Sequence, residues 1–182
     1  MDRKELVRQL NLYETHYKEE AEYIPGFLDL LSEPSCFLRS NLDRHITASA
    51  WIVNNDFTKT LLIHHAKLEK WLQPGGHTDG DEDVLRVALK EAGEETGIAN
   101  FSRVYPSIFD LDIHLIPERK GTKAHYHYDI RFLFQAEESL SFAANHESTD
   151  ISWIALENIK NVVGESRSII RMVEKTNSLT FR

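Results

Sequence analysis

GGHTDGDEDVLRVALKEAGEETGI, running from Gly75 to Ile98, is the stretch on which the fold of this chain turns. Apolar Leu85, Ala88, Leu89 and Ala92 recur at i, i+3, i+4 and i+7, the spacing of an amphipathic helix with one core face. Glu91, Glu94 and Glu95 recur at i, i+3 and i+4 and form a second stripe on the same helix. Three like charges on one face weaken an isolated helix, and a divalent cation removes their repulsion. Hard oxygen donors clustered in this way suit Mg²⁺ or Mn²⁺ better than a soft metal.

The helix ends are also written in the sequence. Asp79 or Asp81 is placed to act as N-cap, with Glu82 three residues after Asp79 as in a capping box. Gly97 is a natural left-handed residue after the last turn, with Ile98 to pack back on it. Ahead of the helix, Pro74-Gly75-Gly76 predicts a tight turn free of side chains, whose backbone groups a ligand can approach closely.

This stretch resembles the Nudix box, whose pattern is Gly, five residues, Glu, seven residues, then Arg-Glu-apolar-any-Glu-Glu-any-Gly-apolar. Gly76, Glu82, Glu91, Ala92, Glu94, Glu95, Gly97 and Ile98 match at the required spacing, and Lys90 stands where the family has Arg. Lysine keeps the charge without the planar fork of a guanidinium. The resemblance implies an α/β/α sandwich with a mixed sheet and a metal-dependent hydrolase. Its substrate would be a small molecule, a nucleoside diphosphate linked to another moiety, cleaved by water attack on phosphorus. By the same resemblance the Gly75 carbonyl, Glu91, Glu94 and Glu95 hold Mg²⁺ or Mn²⁺, Glu82 and Lys90 support them, and Glu91 or Glu147 orients or deprotonates the water. Asp150 lies near enough in sequence to stand in for Glu147. A rival expectation is a nucleotide or ADP-ribose sensor on the same fold without turnover; the intact carboxylate set speaks against it. An isopentenyl diphosphate isomerase-like enzyme would need a catalytic cysteine in the sandwich, and Cys36 precedes it.

Composition bounds the rest. With 182 residues the chain has room for one sizeable core, or one domain with an extension. A formal net charge of -8 without a basic block excludes nucleic acid and anionic membranes as main partners. The single cysteine, Cys36, rules out an intrachain disulfide and points to a reducing, cytoplasmic setting. No apolar run approaches the length of a membrane span.

Around the box, residues 3–20 place Leu6, Leu10, Tyr13 and Tyr17 on one face of a helix, and a second helix follows Pro25-Gly26 and ends near Pro34. This segment, residues 1–43, is expected as a helical extension to a domain at 44–182. It reads as a packing appendage, a dimer surface or a substrate cap, with packing or a homodimer favoured. Strands are predicted at 45–53, 59–65, 71–73, 101–105, 109–115, 125–134 and 153–156, and a closing helix at 166–175.

Two strands carry a second pattern. Asp110, Asp112 and His114 share one face, and His125, His127 and Asp129 share one face of the strand that should pair with it antiparallel. If the faces coincide they form a substrate pocket or a second metal site; the competing expectation is a plain solvent-facing surface. His77, directly after Gly76, is placed to donate to a phosphate oxygen, or is structural. Thus His77, His125, His127 and Asp129 are the candidate substrate contacts. Trp71, Phe109, Tyr126 and Tyr128 offer rings for stacking on a base, though aromatics at strand positions commonly belong to the core. HHAKLEKWLQPGGH, FDLDIH and HYHYDIRFL together resemble one branch of Nudix-like proteins, over roughly residues 45–160.

Overall fold

The computed structural model describes residues 1–119, 121–143 and 148–179. Its strands form an eight-stranded sheet in the order β3-β2-β1-β7-β5, with β4 on β1, β6 on β7 and β8 on β2. The chain divides into two compact units, Met1–Ser49 with Gly75–Ala88 and Pro106–Phe132, and Ala50–Pro74 with Leu89–Tyr105 and Leu133–Arg182.

The first unit holds α1 (Arg3–Asn11), α2 (Lys18–Leu30), the first residues of β1 (Arg44–Val53), β4 (Gly75–His77), the start of α3 (Val84–Thr96), β6 (Asp110–Ile116) and most of β7 (His125–Gln135). β1 and β4 pair antiparallel with Thr47 opposite His77 and Ser49 opposite Gly75. As predicted, β6 and β7 also pair antiparallel. Helix α2 lies on their apolar side, where Phe27 meets the Tyr128 ring edge-on at 5.2 Å.

The N-terminal helices depart from expectation. The chain leaves α1 at Leu12, and α2 begins at Lys18 and runs through Pro25 to Leu30. Glu20 explains the break. Fully buried, its carboxylate accepts from Tyr13 Oη at 2.7 Å, Thr15 Oγ1 at 2.6 Å and the Leu111 amide at 3.0 Å. A buried carboxylate needs such partners, and they require residues 13–15 to turn back toward it rather than continue a helix. Pro25 forfeits one helical hydrogen bond, a loss offset by burial of Phe27 and Leu30 in the same helix.

The second unit holds the end of β1, β2 (Lys59–His65), β3 (Lys70–Leu72), the rest of α3, β5 (Ser102–Arg103), the end of β7, β8 (Ser148–Ala155), a short 3₁₀ turn at Leu156–Asn158, α4 (Ile159–Val163) and α5 (Arg167–Leu179). β8 pairs with β2 from Lys59↔Ala155 to His65↔Ser148, which makes it longer than its apolar residues suggest. β5 shrinks to two residues opposite Phe134 and Gln135. Ile169, Met172 and Val173 of α5 are buried, and Trp51 Nε1 donates to Thr176 Oγ1 at 2.9 Å. Cys36, in the first unit, is buried, and burial pushes its thiol pKa up, as suits a small core residue.

Candidate functional site

Two constellations carry chemistry. The first is on α3. Its cap is Asp83, whose Oδ1 accepts the Arg86 amide at 3.1 Å, not Asp79 or Asp81. Asp81 instead accepts the Asp83 amide at 2.9 Å and the Arg86 guanidinium at 2.7 Å. Asp79 sits at φ 49 and forks with Arg39, so no capping box forms, and Glu82 pairs with Arg3 at 2.9 Å. At the other end Gly97 has φ 74 and donates to the Gly93 carbonyl at 2.9 Å, the expected left-handed close.

The core face of α3 is Val84, Val87, Ala88 and Ala92; Leu85 and Leu89 are only half-buried. This face is turned from the predicted one, and it carries Glu95 inward. Glu95 is buried, Glu91 half-buried and Glu94 exposed, so the row of carboxylates runs from core to solvent. Lys90 Nζ bridges Glu91 Oε1 and Glu94 Oε2, each at 3.1 Å. The hydrogen bonds to Glu91 and then Glu94 raise the Lys90 pKa. Lysine thus relieves part of the repulsion within the row. Gly75, by contrast, opens a strand rather than a tight turn. A Cβ there would stand 2.2 Å from Ser49 Oγ and 2.7 Å from Ser49 Cα, so only glycine lets β4 approach β1 so closely.

The second constellation is a polar face of the first unit. Alternation on β6 and β7 sets Asp110 opposite Arg131, Asp112 opposite Asp129 and His114 opposite His127. Asp110, Asp112, His125, Asp129 and Arg131 are buried, so the plain solvent-facing surface is not what forms. Arg131 gathers the carboxylates: Nε to Asp129 at 2.8 Å, Nη1 to Asp110 at 3.1 Å and Nη2 to Asp112 at 3.0 Å. Thr47 Oγ1 and Ser49 Oγ add hydrogen bonds to Asp129 at 3.0 and 2.8 Å.

Next to the carboxylates the imidazoles converge. Ring centroids of His45 lie 5.1 Å from His77, 5.1 Å from His125 and 4.8 Å from His127; His114 lies 5.5 Å from His127. His125 Nε2 and His127 Nε2 are 3.2 Å apart. Burial pushes His77 down to about 4 and His127 down to about 2, with Arg39 and the neighbouring rings adding repulsion, and burial also lowers His45. His45 Nε2 is buried without a hydrogen-bond partner among the described residues, a deficit costing about 1–3 kcal/mol.

Of the sequence candidates, His77, His125 and His127 come together, while Asp129 is taken up by Arg131, Thr47 and Ser49. Glu91, Glu94, Glu95 and Lys90 share one end of α3, and Glu82 stands at an exposed ion pair. Glu147 lies outside the described residues. His45 and Arg131 escaped the sequence reading, although each continues an alternation in view: His45, Thr47, Ser49 on one strand, and His125, His127, Asp129, Arg131 on the other.

Comparison with known proteins agrees with the helix. A curated protein of Lactococcus lactis subsp. cremoris (strain MG1363), "Probable DHNTP pyrophosphohydrolase", is 32% identical over 139 residues, 74% of this chain and 80% of its own length. Among solved structures, the MutT protein from Methanosarcina mazei Go1 is 21% identical with a TM-score of 0.58, over 77% of this chain and 97% of that one. The E. coli dihydroneopterin triphosphate pyrophosphohydrolase is 10% identical with a TM-score of 0.55, over 73% and 95%. These likenesses show the fold, the α/β/α sandwich with a mixed sheet. The model of the NUDIX domain matches residues 43–173. With most of its length matched, and with the glutamate row of the box on one helix, the chain belongs to the NUDIX family.

Proposed function

We propose that this Nudix-type pyrophosphohydrolase uses Glu91, Glu94 and Glu95 to hold Mg²⁺ or Mn²⁺ and cleaves the pyrophosphate of a nucleoside diphosphate linked to another moiety. The observation that carries the reading is the row itself: three carboxylates at i, i+3 and i+4 on α3, two of them bridged by Lys90. Nudix hydrolases act on small-molecule diphosphates and generally use divalent metals. A cation bound there supplies charge neutralisation for phosphate oxygens and a lowered pKa for the attacking water. Water attacks one phosphorus, the anhydride P–O bond breaks, and the other phosphate leaves. Glu91, or Glu147, takes the water's proton, a role contributing about 10²–10⁴-fold. Lys90 keeps the Glu91 and Glu94 side chains in register, and burial fixes Glu95. Glu82, held by Arg3, and His77, His125, His127 and Asp129 on the strand face are the proposed supporting and substrate-contact residues.

Residues 1–43 act as an extension to the domain at 44–182; the packing of α2 on β6 and β7 supports a packing role, and a homodimer stays the second option. A reducing cytoplasmic setting suits the lone buried cysteine. Among the described residues no helix is long and apolar enough to cross a membrane.

A second substrate reading is favoured by the curated relative, whose name specifies DHNTP: a heterocycle triphosphate losing pyrophosphate. One experiment tests both. The chain is incubated with Mg²⁺ or Mn²⁺ and a panel of nucleoside diphosphate derivatives and heterocycle triphosphates, with phosphate and pyrophosphate release measured. Turnover of a diphosphate derivative supports the first reading, and pyrophosphate release confined to triphosphates replaces it with the second. Glu95→Gln is expected to lose metal-dependent turnover in either case; near-normal rates in that variant would remove the α3 row from the chemistry.

A further inference from the structure

We propose that His45, His77 and His127 form a binding site for one transition-metal ion of the Zn²⁺ class, made of ligands separate from the carboxylate row of α3. The three side chains come from three strands, β1, β4 and β7, and their ligand atoms all lie within 4.8 Å of one another. A tetrahedral ion with Zn–N bonds of about 2.0–2.1 Å sets ligand nitrogens about 3.3 Å apart, so each ring closes by about 0.8 Å or less. Side-chain torsions absorb a shift of that size without moving the strands.

His45 is the most informative member. Its Nδ1 lies 3.0 Å from the Asn41 carbonyl, which only accepts, so Nδ1 carries the proton and Nε2 presents a lone pair. That Nε2 is buried and has no partner among the described residues. Donation of one ring N–H to a backbone carbonyl, with the other nitrogen bare, is the arrangement that orients metal-binding histidines. A purely structural histidine would give both nitrogens a hydrogen-bond partner. His125 differs: its Nδ1 donates to the Lys123 carbonyl at 2.8 Å, and its Nε2 is taken up by His127 Nε2 at 3.2 Å.

The chemistry of the donors selects the ion. Imidazole nitrogen suits Zn²⁺, Cu²⁺, Ni²⁺ or Co²⁺, whereas Mg²⁺ and Ca²⁺ take oxygen. An ion at this point ties β1, β4 and β7 together and places a Lewis acid on the polar face of the first unit.

The test uses the full chain, stripped with a chelator and then held in excess Mg²⁺ so that oxygen-donor sites are filled. Zn²⁺ is titrated against a competing chromophoric chelator, and Co²⁺ is followed by its visible absorption. One equivalent per chain is expected, with affinity about 10–100-fold weaker or worse in His45→Gln, His77→Gln and His127→Gln, since even an outer partner's loss costs that much. His16→Gln and His64→Gln should bind as the wild type does. Absence of stoichiometric Zn²⁺ binding by the folded wild type overturns the proposal, as does unchanged binding in trio variants with native circular dichroism. Should His45→Gln or His127→Gln fail to fold, the partly exposed His77→Gln and the imidazole ¹⁵N spectrum of the wild type decide. Zinc-induced shifts at His45, His77 and His127 support the site, and shifts confined to other histidines refute it.

Discussion

Arg131 is the residue on which the polar face of the first unit depends. It is 2% exposed, and its three guanidinium nitrogens each reach a different aspartate. Burial alone would lower its pKa, but Asp112, Asp129 and Asp110 outweigh burial and raise it above the ordinary arginine value. Replacing Arg131 with Met leaves buried carboxylates without their cation, and losing one partner of such a set costs about 3–5 kcal/mol. Arg131→Met is therefore expected to lower the urea midpoint steeply, and Arg131→Lys to follow in the same direction, because an ammonium cannot present a planar three-way fork. A loss under about 1 kcal/mol in Arg131→Met would show that the aspartates do not need it. Lys90 makes an instructive contrast. Its side chain is 57% exposed and bridges glutamates on the helix surface, where ion pairs are worth about 0–1 kcal/mol, so Lys90 adds little to stability.

Among the elements, those with a strong local period were the legible ones. β2 spans Lys59–His65, the bounds expected from its β-rich run, β6 and β7 follow from alternation, and α3 follows from its 3.6-residue period and Gly97. What local pattern misses is set by partners distant in sequence. The N-cap of α3 moved to Asp83 because Arg39 and Arg86 claim Asp79 and Asp81. The turn expected at Gly75-Gly76 became β4 because Ser49 and Thr47 lie alongside to pair with it. His45 could not be grouped with His77 and His127 from periodicity, since their meeting depends on which strands lie side by side. The strand at Gly75 yields its own prediction. An alanine Cβ at this position meets both the Ser49 side chain and the Ser49 Cα, at 2.2 and 2.7 Å. Gly75→Ala should destabilise by about 1–3 kcal/mol, the usual cost of overpacking. Because the backbone contact survives removal of the hydroxyl, Gly75→Ala with Ser49→Ala should melt no higher than Gly75→Ala alone; a rescued midpoint would place the clash in the side chain only.

For the whole molecule, the uneven placing of histidine makes stability depend on pH. His45, His77 and His127 lie in the first unit, each with its pKa pushed below the ordinary 6.5 by burial. Facing them are His114 and His125, with Asp112, Asp79 and Arg39 as the nearest charges. In the unfolded chain these histidines take up protons near pH 6.5, whereas in the folded chain His77 waits until about 4 and His127 until about 2. Below pH 6.5 the unfolded state therefore binds more protons, and stability falls as pH falls. Their contribution is fully present above pH 6.5, is lost progressively down to about 4 for His77, and continues to be lost below that for His127. After discounting for water at the partly exposed rings, the loss between pH 7 and pH 4.5 is about 2–4 kcal/mol, a substantial share of a typical 5–15 kcal/mol stability. Paired carboxylates add a separate loss at lower pH: Glu33, held down by Arg44, and Glu138, held down by Lys59, titrate in the unfolded chain near 4.5. The two sources separate by window and by variant. In chelator-treated protein the urea midpoint should already decline between pH 6.5 and 5, above the range in which Glu33 and Glu138 contribute most of their loss. His127→Gln should flatten that part of the curve while leaving the fall below pH 4.5 in place. A wild-type midpoint that stays level from pH 7 to 5 would mean that His45, His77 and His127 take up protons in the folded chain, contrary to their burial.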